Sequence, residues 1–281
     1  MARLLHGRPP AERIKGETRA RVEALQRRRV HAHLAVVSVG ADPAALTYTE
    51  RLTRSGHGIG VKVTTYALPR ETSEAQLRAE LDRVSADPAV HGVILLTPLP
   101  GALDETHVVD HIAVAKDVEG MHPSSVGWLA DGRPRFMPST AEAVIELLRS
   151  YEVPISGRHA VVIGRSTVIG RPAAYLLLRE DATVTIAHKK TGDVTRFTRD
   201  ADIVVVGVGS AGFLRGEMIR PGATVIDAGI NVTPHGLTGD ADAESVGATA
   251  GALSPVPGGL GAVTAALLLR NVVTAAEEAA P

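Results

Sequence analysis

Residues 159–172 constrain the fold of this chain more than any other segment. They read His-Ala-Val-Val-Ile-Gly-Arg-Ser-Thr-Val-Ile-Gly-Arg-Pro, an apolar β-branched run followed by two spaced glycines and a proline. The run predicts a buried strand, the segment from Gly164 to Gly170 predicts a tight turn, and Pro172 fits the first turn of a following helix. A strand, a glycine-rich turn and a helix in this order are typical of a parallel α/β sheet.

The same turn is a candidate phosphate site. Backbone N–H groups and the positive end of a helix dipole meet where such a helix begins, and both favour an anion. The spacing here is G-x-S-x-x-x-G rather than G-x-G-x-x-G, and glycine-rich turns also occur in α/β folds without a ligand. The turn alone therefore leaves both interpretations open.

Predicted strands and helices alternate along the whole chain, which indicates an α/β fold. In the first half we predict strands at 33–39, 62–67 and 92–96 and helices at 11–28, 43–56, 73–86 and 104–112. Residues 121–135 lack periodicity and predict a connection between domains. In the second half we predict a helix at 140–151, strands at 160–163, 183–187, 203–206 and 224–227, and a last apolar helix at 262–278.

Composition limits the classes of partner. With 281 residues two domains are expected, and 30 Lys and Arg against 31 Asp and Glu favour neither nucleic acid nor an anionic membrane. The absence of cysteine excludes disulfides and thiolate chemistry and fits a cytoplasmic location. No apolar run of 18 residues and no signal pattern appear, and the spacing of the eleven histidines predicts no metal site.

Basic residues after the strand at 183–187 indicate which dinucleotide would bind. An acidic residue often follows this strand and binds a ribose 2′-OH, but here His188-Lys189-Lys190-Thr191 follow. Two cations suit a 2′-phosphate, and Arg165 could pair with it bidentately. The sequence therefore favours NADP over NAD, unless these are ordinary solvated surface charges.

Four blocks of the sequence resemble the bifunctional methylenetetrahydrofolate dehydrogenase/cyclohydrolase family. The blocks are residues 36–40 with Asp42, Pro43 and Tyr48; Thr97-Pro98-Leu99-Pro100 with Lys116-Asp117-Val118-Glu119-Gly120; residues 164–172; and Pro255-Val256-Pro257-Gly258-Gly259-Leu260-Gly261 with Thr264. Shorter similarities occur at residues 138–140, at residues 227–231 and at Gly239-Asp240.

The resemblance implies a substrate domain at 1–138, a Rossmann-type NADP domain at 139–262, and a final helix, 263–281, that returns to the first domain. It implies a homodimer and a folate-like small-molecule substrate in the cleft, oxidised from the methylene to the methenyl form and then hydrolysed. Implied substrate positions are Tyr48, Pro98, Leu99, Glu119, Pro257, Gly258 and Gly259. Implied cofactor positions are Gly164, Arg165, Ser166, Val168, Ile169, Gly170, His188, Lys189, Lys190, Gly207, Ile230 and Thr264.

Three catalytic positions depart from the family pattern. The family's Tyr-x-x-x-Lys begins at Tyr48, but Leu52 holds the lysine position, and there is no lysine between Lys15 and Lys62. Leu96 stands where the family has a supporting glutamine, and Glu119 where it has an aspartate that binds the pterin ring. Replacing both members of a polar pair by apolar groups can be nearly neutral, whereas losing one leaves the other unsatisfied at about 1–3 kcal/mol. Lesser departures are Ala45 for serine and Ala262 for proline.

Three functions remain open from the sequence. The chain could be an NADP-dependent methylenetetrahydrofolate dehydrogenase whose cyclohydrolase step is lost or weak. It could be a redox enzyme of the same fold that acts on another C–N or C=N substrate in specialised metabolism. It could also be a catalytically silent binding or regulatory protein, because a fold alone does not fix a function.

Overall fold

A computed structural model describes residues 1–40, 43–101, 103–234 and 236–280. The strands are β1 (Arg3–Leu4), β2 (His33–Val39), β3 (Lys62–Leu68), β4 (Gly92–Leu95), β5 (His159–Ile163), β6 (Thr183–Ala187), β7 (Ile203–Val206), β8 (Thr224–Asp227), β9 (Asn231–Thr233), β10 (Gly236–Thr238) and β11 (Ala252–Leu253). The helices are α1 (Arg8–Arg27), α2 (Pro43–Ile59), α3 (Glu74–Ala86), α4 (Glu105–Val108), α5 (Pro123–Ala130), α6 (Ser139–Ser150), α7 (Gly170–Arg179), α8 (Thr195–Thr198), α9 (Ala243–Thr249) and α10 (Leu260–Ala279).

The chain divides into two compact units. The N-terminal unit comprises Glu12–Trp128, Pro134–Met137 and Ala265–Pro281, and the C-terminal unit comprises Met1–Ala11, Leu129–Arg133 and Pro138–Thr264. The predicted two-domain α/β class is thus confirmed. The predicted boundaries differ at the N-terminus, because β1 pairs with β11 and so places Met1–Ala11 in the C-terminal unit.

The N-terminal unit contains a three-stranded parallel sheet in the order β3-β2-β4. Alternate residues of β2 face opposite sides of the sheet, so Leu34 and Val36 pack in one apolar cluster while Ala35 and Val37 pack in another. The first cluster, called here the α10-side core, also contains Leu52, Val118 and residues 268, 269, 272 and 273 of α10. Asn271 of that helix donates a hydrogen bond of 3.0 Å to the Val118 carbonyl.

The C-terminal unit contains a six-stranded parallel sheet in the order β1-β11-β8-β7-β5-β6. Its central strands, β7 and β8, are fully buried, as expected for a parallel sheet covered on both faces. The antiparallel pair β9 and β10 forms a separate hairpin.

Several local predictions were wrong. Residues 121–135 contain helix α5, and the predicted helix at 104–112 is α4 followed by a 3-10 turn at Val109–His111. The last helix begins at Leu260, and it is long and apolar enough to cross a membrane, with a mean hydropathy of 1.3 over an 18-residue window. Since 67% of that window is buried inside the protein, the helix serves as a core element.

Candidate functional site

Residues 164–170 form the predicted turn at the carboxyl end of β5. Gly164 has φ +129°, and a Cβ there would lie 2.4 Å from the Gly207 carbonyl oxygen. A Cβ on Gly170 would lie 2.3 Å from the Gly164 oxygen. Both glycines are therefore required by close backbone packing, while Arg165, Ser166 and Val168 are exposed to solvent.

Ser166 accepts hydrogen bonds from the backbone amides at the start of α7. Its hydroxyl accepts hydrogen bonds from the N–H groups of Ile169 (3.2 Å) and Gly170 (3.3 Å), and its carbonyl accepts one from Arg171 (3.0 Å). In this conformation those amides donate within the turn. The side chains of Arg165 and Ser166 are exposed and remain accessible to an anion.

A cavity of about 530 Å³ opens beside the end of β6. It is lined by Ile163, His188, Lys189, Thr191, Gly192, Asp193, Val194, Thr195, Val208, Ser210, Phe213 and Met218. Of the residues predicted to bind a cofactor, His188 and Lys189 line it, while Lys190 is exposed nearby on the same turn. Sequence reasoning missed the lining residues after position 190.

The turn at 188–191 is held by its own hydrogen bonds. The Thr191 hydroxyl accepts from the His188 backbone N–H at 3.0 Å, and His188 Nδ1 accepts from the Lys190 N–H at 3.2 Å. Asp193 adds a negative charge to the cavity wall, and hydrogen bonds from the hydroxyl and backbone N–H of Thr195 lower the pKa of Asp193. The cavity therefore presents charges of both signs.

The remaining predicted cofactor residues differ in accessibility. Gly207 is half-buried at the end of β7, and Ile230 is 70% exposed before β9. Thr264 is buried, and its hydroxyl donates to the Leu260 carbonyl at 3.1 Å. Its implied role as a cofactor position stays a prediction.

The glycine loop at 255–261 is anchored by the N-terminal segment. The Gly7 N–H donates to the Gly258 carbonyl at 2.8 Å, and a Cβ on Gly7 would lie 1.9 Å from the Gly259 oxygen. Pro257 and Gly258 are exposed, while Gly259 is buried. The two exposed residues are the accessible part of the predicted substrate loop.

In the N-terminal unit the structure brings together three of the predicted catalytic positions. Leu52 is fully buried in the α10-side core, and Tyr48 and Leu96 are half-buried against the same core. Tyr48 and Leu52 lie four residues apart on one face of α2, as predicted. We call Tyr48, Leu52, Leu96 and Glu119 the substrate-wall residues.

Glu119 completes this group through its electrostatic effect on Tyr48. Burial raises the pKa of Tyr48, and the neighbouring Glu119 carboxylate raises it further. Burial, with a smaller contribution from Asp117, raises the pKa of Glu119 to about 7. Among the described residues none donates a hydrogen bond to the Glu119 carboxylate, so it is free to interact with a ligand.

Asp117 has a structural role in the same loop. It is 1% exposed, and its carboxylate accepts hydrogen bonds from the backbone N–H groups of Met121 (3.0 Å) and His122 (2.9 Å). These bonds fix the loop that carries Glu119. The sequence predicts this role for an aspartate in a turn.

Two predicted substrate residues lie apart from the α10-side core. Leu99 packs against the opposite face of the sheet, near Ala35 and Val37, and its N–H donates to Glu105 at 3.0 Å. Pro98 is exposed. Asp42 lies outside the described residues, and no side chain is described at Pro43 or Ala45.

Over the described ranges of the chain, no group of three or more His, Asp or Glu side chains could hold a metal ion. The prediction that the protein uses no metal stays a prediction.

Two family models match most of the chain. The model described as "Tetrahydrofolate dehydrogenase/cyclohydrolase, catalytic domain" matches residues 5–119, and "Tetrahydrofolate dehydrogenase/cyclohydrolase, NAD(P)-binding domain" matches residues 138–280. A "Bifunctional protein FolD" of Parafrankia sp. (strain EAN1pec) is 50% identical over 98% of this chain and 99% of its own length. Another, of Roseiflexus sp. (strain RS-1), is 44% identical over 98% and 96%.

Solved structures agree with the sequence matches. The bifunctional enzyme FolD, methylenetetrahydrofolate dehydrogenase/cyclohydrolase, from Campylobacter jejuni has a TM-score of 0.96 and 36% identity and covers 99% of both chains. The Trypanosoma brucei methylenetetrahydrofolate dehydrogenase-cyclohydrolase, complexed with NADP cofactor and inhibitor, has a TM-score of 0.94 and 34% identity over 99% of this chain and 98% of that one.

Proposed function

Because this chain belongs to the tetrahydrofolate dehydrogenase/cyclohydrolase family, we propose that it is an NADP-dependent dehydrogenase that oxidises methylenetetrahydrofolate and has lost most of the cyclohydrolase step. The observation that carries this proposal is the complete burial of Leu52 at the family's lysine position. Oxidation of the substrate requires only that the two ligands are aligned, whereas the cyclohydrolase step requires a cationic group that this position lacks.

When bound at this site, NADP would supply the hydride acceptor for this oxidation. The chain itself has to bind and orient the two ligands and to exclude water from the site. Tyr48 and Glu119 present a phenol and a carboxyl group from the substrate wall, and Glu119 is suited to bind an amino-pyrimidine edge. Its longer side chain displaces that contact relative to the aspartate of the family.

The basic residues closest in sequence to Leu52 and Glu119 do not take the place of the missing lysine. Arg51 and Arg54 lie on α2 but are exposed to solvent. Lys116 donates from Nζ to the Asp87 carbonyl at 2.6 Å. Moreover, arginine stays protonated in proteins and is a poor proton donor. Hydrolysis of the methenyl product therefore lacks its acid catalyst.

The cyclohydrolase proposal is tested by hydrolysis of methenyltetrahydrofolate, followed through the loss of its absorbance. We expect the wild-type rate to stay near the uncatalysed background. The double variant Leu52→Lys/Leu96→Gln should recover part of the activity because it restores both polar partners. Leu52→Lys alone is the matched control, and it should destabilise the N-terminal unit since it buries an unpaired charge. Vigorous hydrolysis by the wild-type protein would show that the lysine argument is wrong.

The cofactor is NADP, and we assign recognition of its 2′-phosphate to Lys189 and Lys190, with Arg165 as a further partner. Support comes from the position of Lys189 in the cavity wall and from the lack of an acidic residue directly after β6. Calorimetric titration should show at least tenfold tighter binding of NADP than of NAD. Lys189→Ala/Lys190→Ala should remove most of that preference, while Lys15→Ala, a change on α1 of the N-terminal unit, should keep it. Equal affinities in the wild-type protein would refute the assignment.

A second candidate function is oxidation of a different C–N or C=N substrate. It is favoured by the combined changes at Leu52, Leu96 and Glu119, which alter one wall of the substrate site and leave the cofactor half intact. Supplying NADP and methylenetetrahydrofolate together separates the two candidates, because turnover gives the absorbance of the methenyl product. NADP binding without turnover would favour the second candidate, and no NADP binding would favour a silent protein.

We propose that the protein is a cytoplasmic homodimer. The exposed apolar side chains of Val232 and Leu237, 81% and 40% accessible, support a contact between two copies at the β9–β10 hairpin.

A further inference from the structure

Asp240 is a fully buried carboxylate whose partners are all neutral. Its Oδ2 accepts hydrogen bonds from the backbone N–H groups of Val208 (2.6 Å) and Gly209 (2.9 Å). Its Oδ1 accepts from the Ser210 N–H (2.9 Å) and from Asn231 Nδ2 (2.8 Å). The residue is 0% exposed, and over the described parts of the chain no cation pairs with it. A buried ion without a counter-charge is costly, and here charge-assisted hydrogen bonds offset that cost.

A second buried aspartate fixes the backbone of Asp240. Asp227, at the end of β8, accepts hydrogen bonds from the N–H groups of Asp240 (3.0 Å) and Ala241 (2.8 Å). Its own N–H donates to the Ser254 hydroxyl at 2.8 Å. Asp227 therefore fixes the backbone at Asp240, and the Asp240 carboxylate in turn fixes the loop after β7.

Neighbouring glycines make room for both carboxylates. A Cβ on Gly229 would lie 2.2 Å from the Asp240 carboxyl carbon, and a Cβ on Gly239 would lie 1.9 Å from Asp227 Oδ2. Larger residues at these positions would displace the carboxylates. The backbone is thus built around the two acidic groups.

The loop that Asp240 holds borders the cavity described above. Val208 and Ser210 line that cavity together with Lys189, and their amides point to Asp240 on the other side of the loop. Asn231 follows Ile230, a predicted cofactor residue. One carboxylate therefore fixes two segments that adjoin the predicted cofactor positions Gly207 and Ile230.

We propose that Asp240 is a positioning residue for NADP: its carboxylate holds residues 208–210 and Asn231 in their binding arrangement before the cofactor arrives. This proposal rests on the use of NADP at this site and is independent of the folate chemistry.

The test is calorimetric binding of NADP to Asp240→Asn. Either orientation of the new amide places an NH₂ group against two N–H donors, so the loop cannot keep all its bonds. We expect the Kd for NADP to rise at least tenfold. Asp242→Asn is the matched control, because it makes the same chemical change two residues away, where the side chain caps α9 by accepting from the Ser245 N–H. Asparagine caps helices as well as aspartate does, so its Kd should stay within twofold of the wild-type value.

A purely structural role is tested with Ser254→Ala. This variant removes the acceptor of the Asp227 N–H and lowers the melting temperature, but it leaves the Asp240 carboxylate in place. If Ser254→Ala raises the Kd as much as Asp240→Asn does, measured well below both melting temperatures, the positioning role is refuted. Equal NADP affinity of Asp240→Asn and the wild type would refute it too. A wild-type protein that does not bind NADP would instead overturn the assignment of the cofactor.

Hydrogen exchange of the wild-type protein decides the matter if Asp240→Asn does not fold. The proposal requires the amides of Val208, Gly209 and Ser210 to be protected without cofactor, and NADP should increase that protection little. Exchange of these amides at the rate of an unstructured loop in the cofactor-free protein would overturn the proposal.

Discussion

At the scale of single residues, Glu119 carries the clearest consequence for pH dependence. Its pKa in the folded protein is about 7, above the usual value near 4.5. Between these two values the folded state binds more protons than the unfolded state, so the stability contributed by this group falls as pH rises from 4.5 to 7. Above pH 7 the cost of a buried carboxylate is fully present, at most about 3 kcal/mol.

We therefore predict that Glu119→Gln stabilises the protein at pH 8.5 and has little effect at pH 5. The glutamine keeps the size of the side chain and removes its ionisation. Urea unfolding at the two pH values gives the free energies of unfolding, and Glu71→Gln, an exposed change, is the control that should alter neither. If the free energies of unfolding of the wild type and of Glu119→Gln change with pH in parallel, Glu119 does not titrate in this range.

At the scale of secondary-structure elements, the two-residue strand β1 has a larger effect than its length suggests. It pairs with β11, and the chain then continues alongside the glycine loop, with bonds from Leu5 to the Leu253 carbonyl (2.9 Å) and from Gly7 to Gly258. Gly7→Ala should displace the Gly259 carbonyl, because the new methyl group would otherwise lie 1.9 Å from it. A Cβ on Gly16 in α1 would have no neighbour within 4 Å, so Gly16→Ala is the matched control.

We predict that Gly7→Ala raises the KM for the folate substrate at least fivefold, while Gly16→Ala leaves it unchanged and stabilises α1 by up to about 1 kcal/mol. Steady-state kinetics with both variants measures this, and calorimetry should show NADP bound by each. Wild-type kinetics in a folded Gly7→Ala protein would mean that the position of the glycine loop does not limit substrate binding.

The elements also show what sequence can reveal. Strands such as β2 and β7 could be predicted because their apolar runs are long enough to show a pattern. The strands β1 and β11 could not, since two residues carry no periodicity and each is defined by pairing with a distant partner. Likewise, the positions of Leu52 and Glu119 were predicted from the family resemblance, but the pKa of Glu119 depends on burial by distant parts of the chain. The family resemblance marked Gly239-Asp240 as a short similarity, but nothing in the sequence predicted that the Asp240 carboxylate accepts from residues 208–210, some 30 residues away.

At the scale of the whole molecule, the open question is how copies of the chain associate. The β9–β10 hairpin pairs Val232 with Leu237, and both side chains are exposed, at 81% and 40%. The hairpin forms a sheet of its own with no further strand among the described residues. Its sequence from Ile230 to Thr238 contains no Lys, Arg, Asp or Glu, so two copies can approach without repulsion between charges. Exposed strand edges of this kind tend to pair with another chain.

We predict that the wild-type protein sediments as a dimer and that Val232→Lys sediments as a monomer, because a lysine on an exposed edge disfavours strand pairing. Leu178→Lys is the matched control: it places the same charge at another exposed apolar residue, 60% accessible at the end of α7, and should leave the dimer intact. Both variants should still bind NADP, since neither residue lines the cavity beside β6. A Val232→Lys protein that remains dimeric would place the contact elsewhere, and a monomeric wild type would remove the dimer from the proposed function altogether.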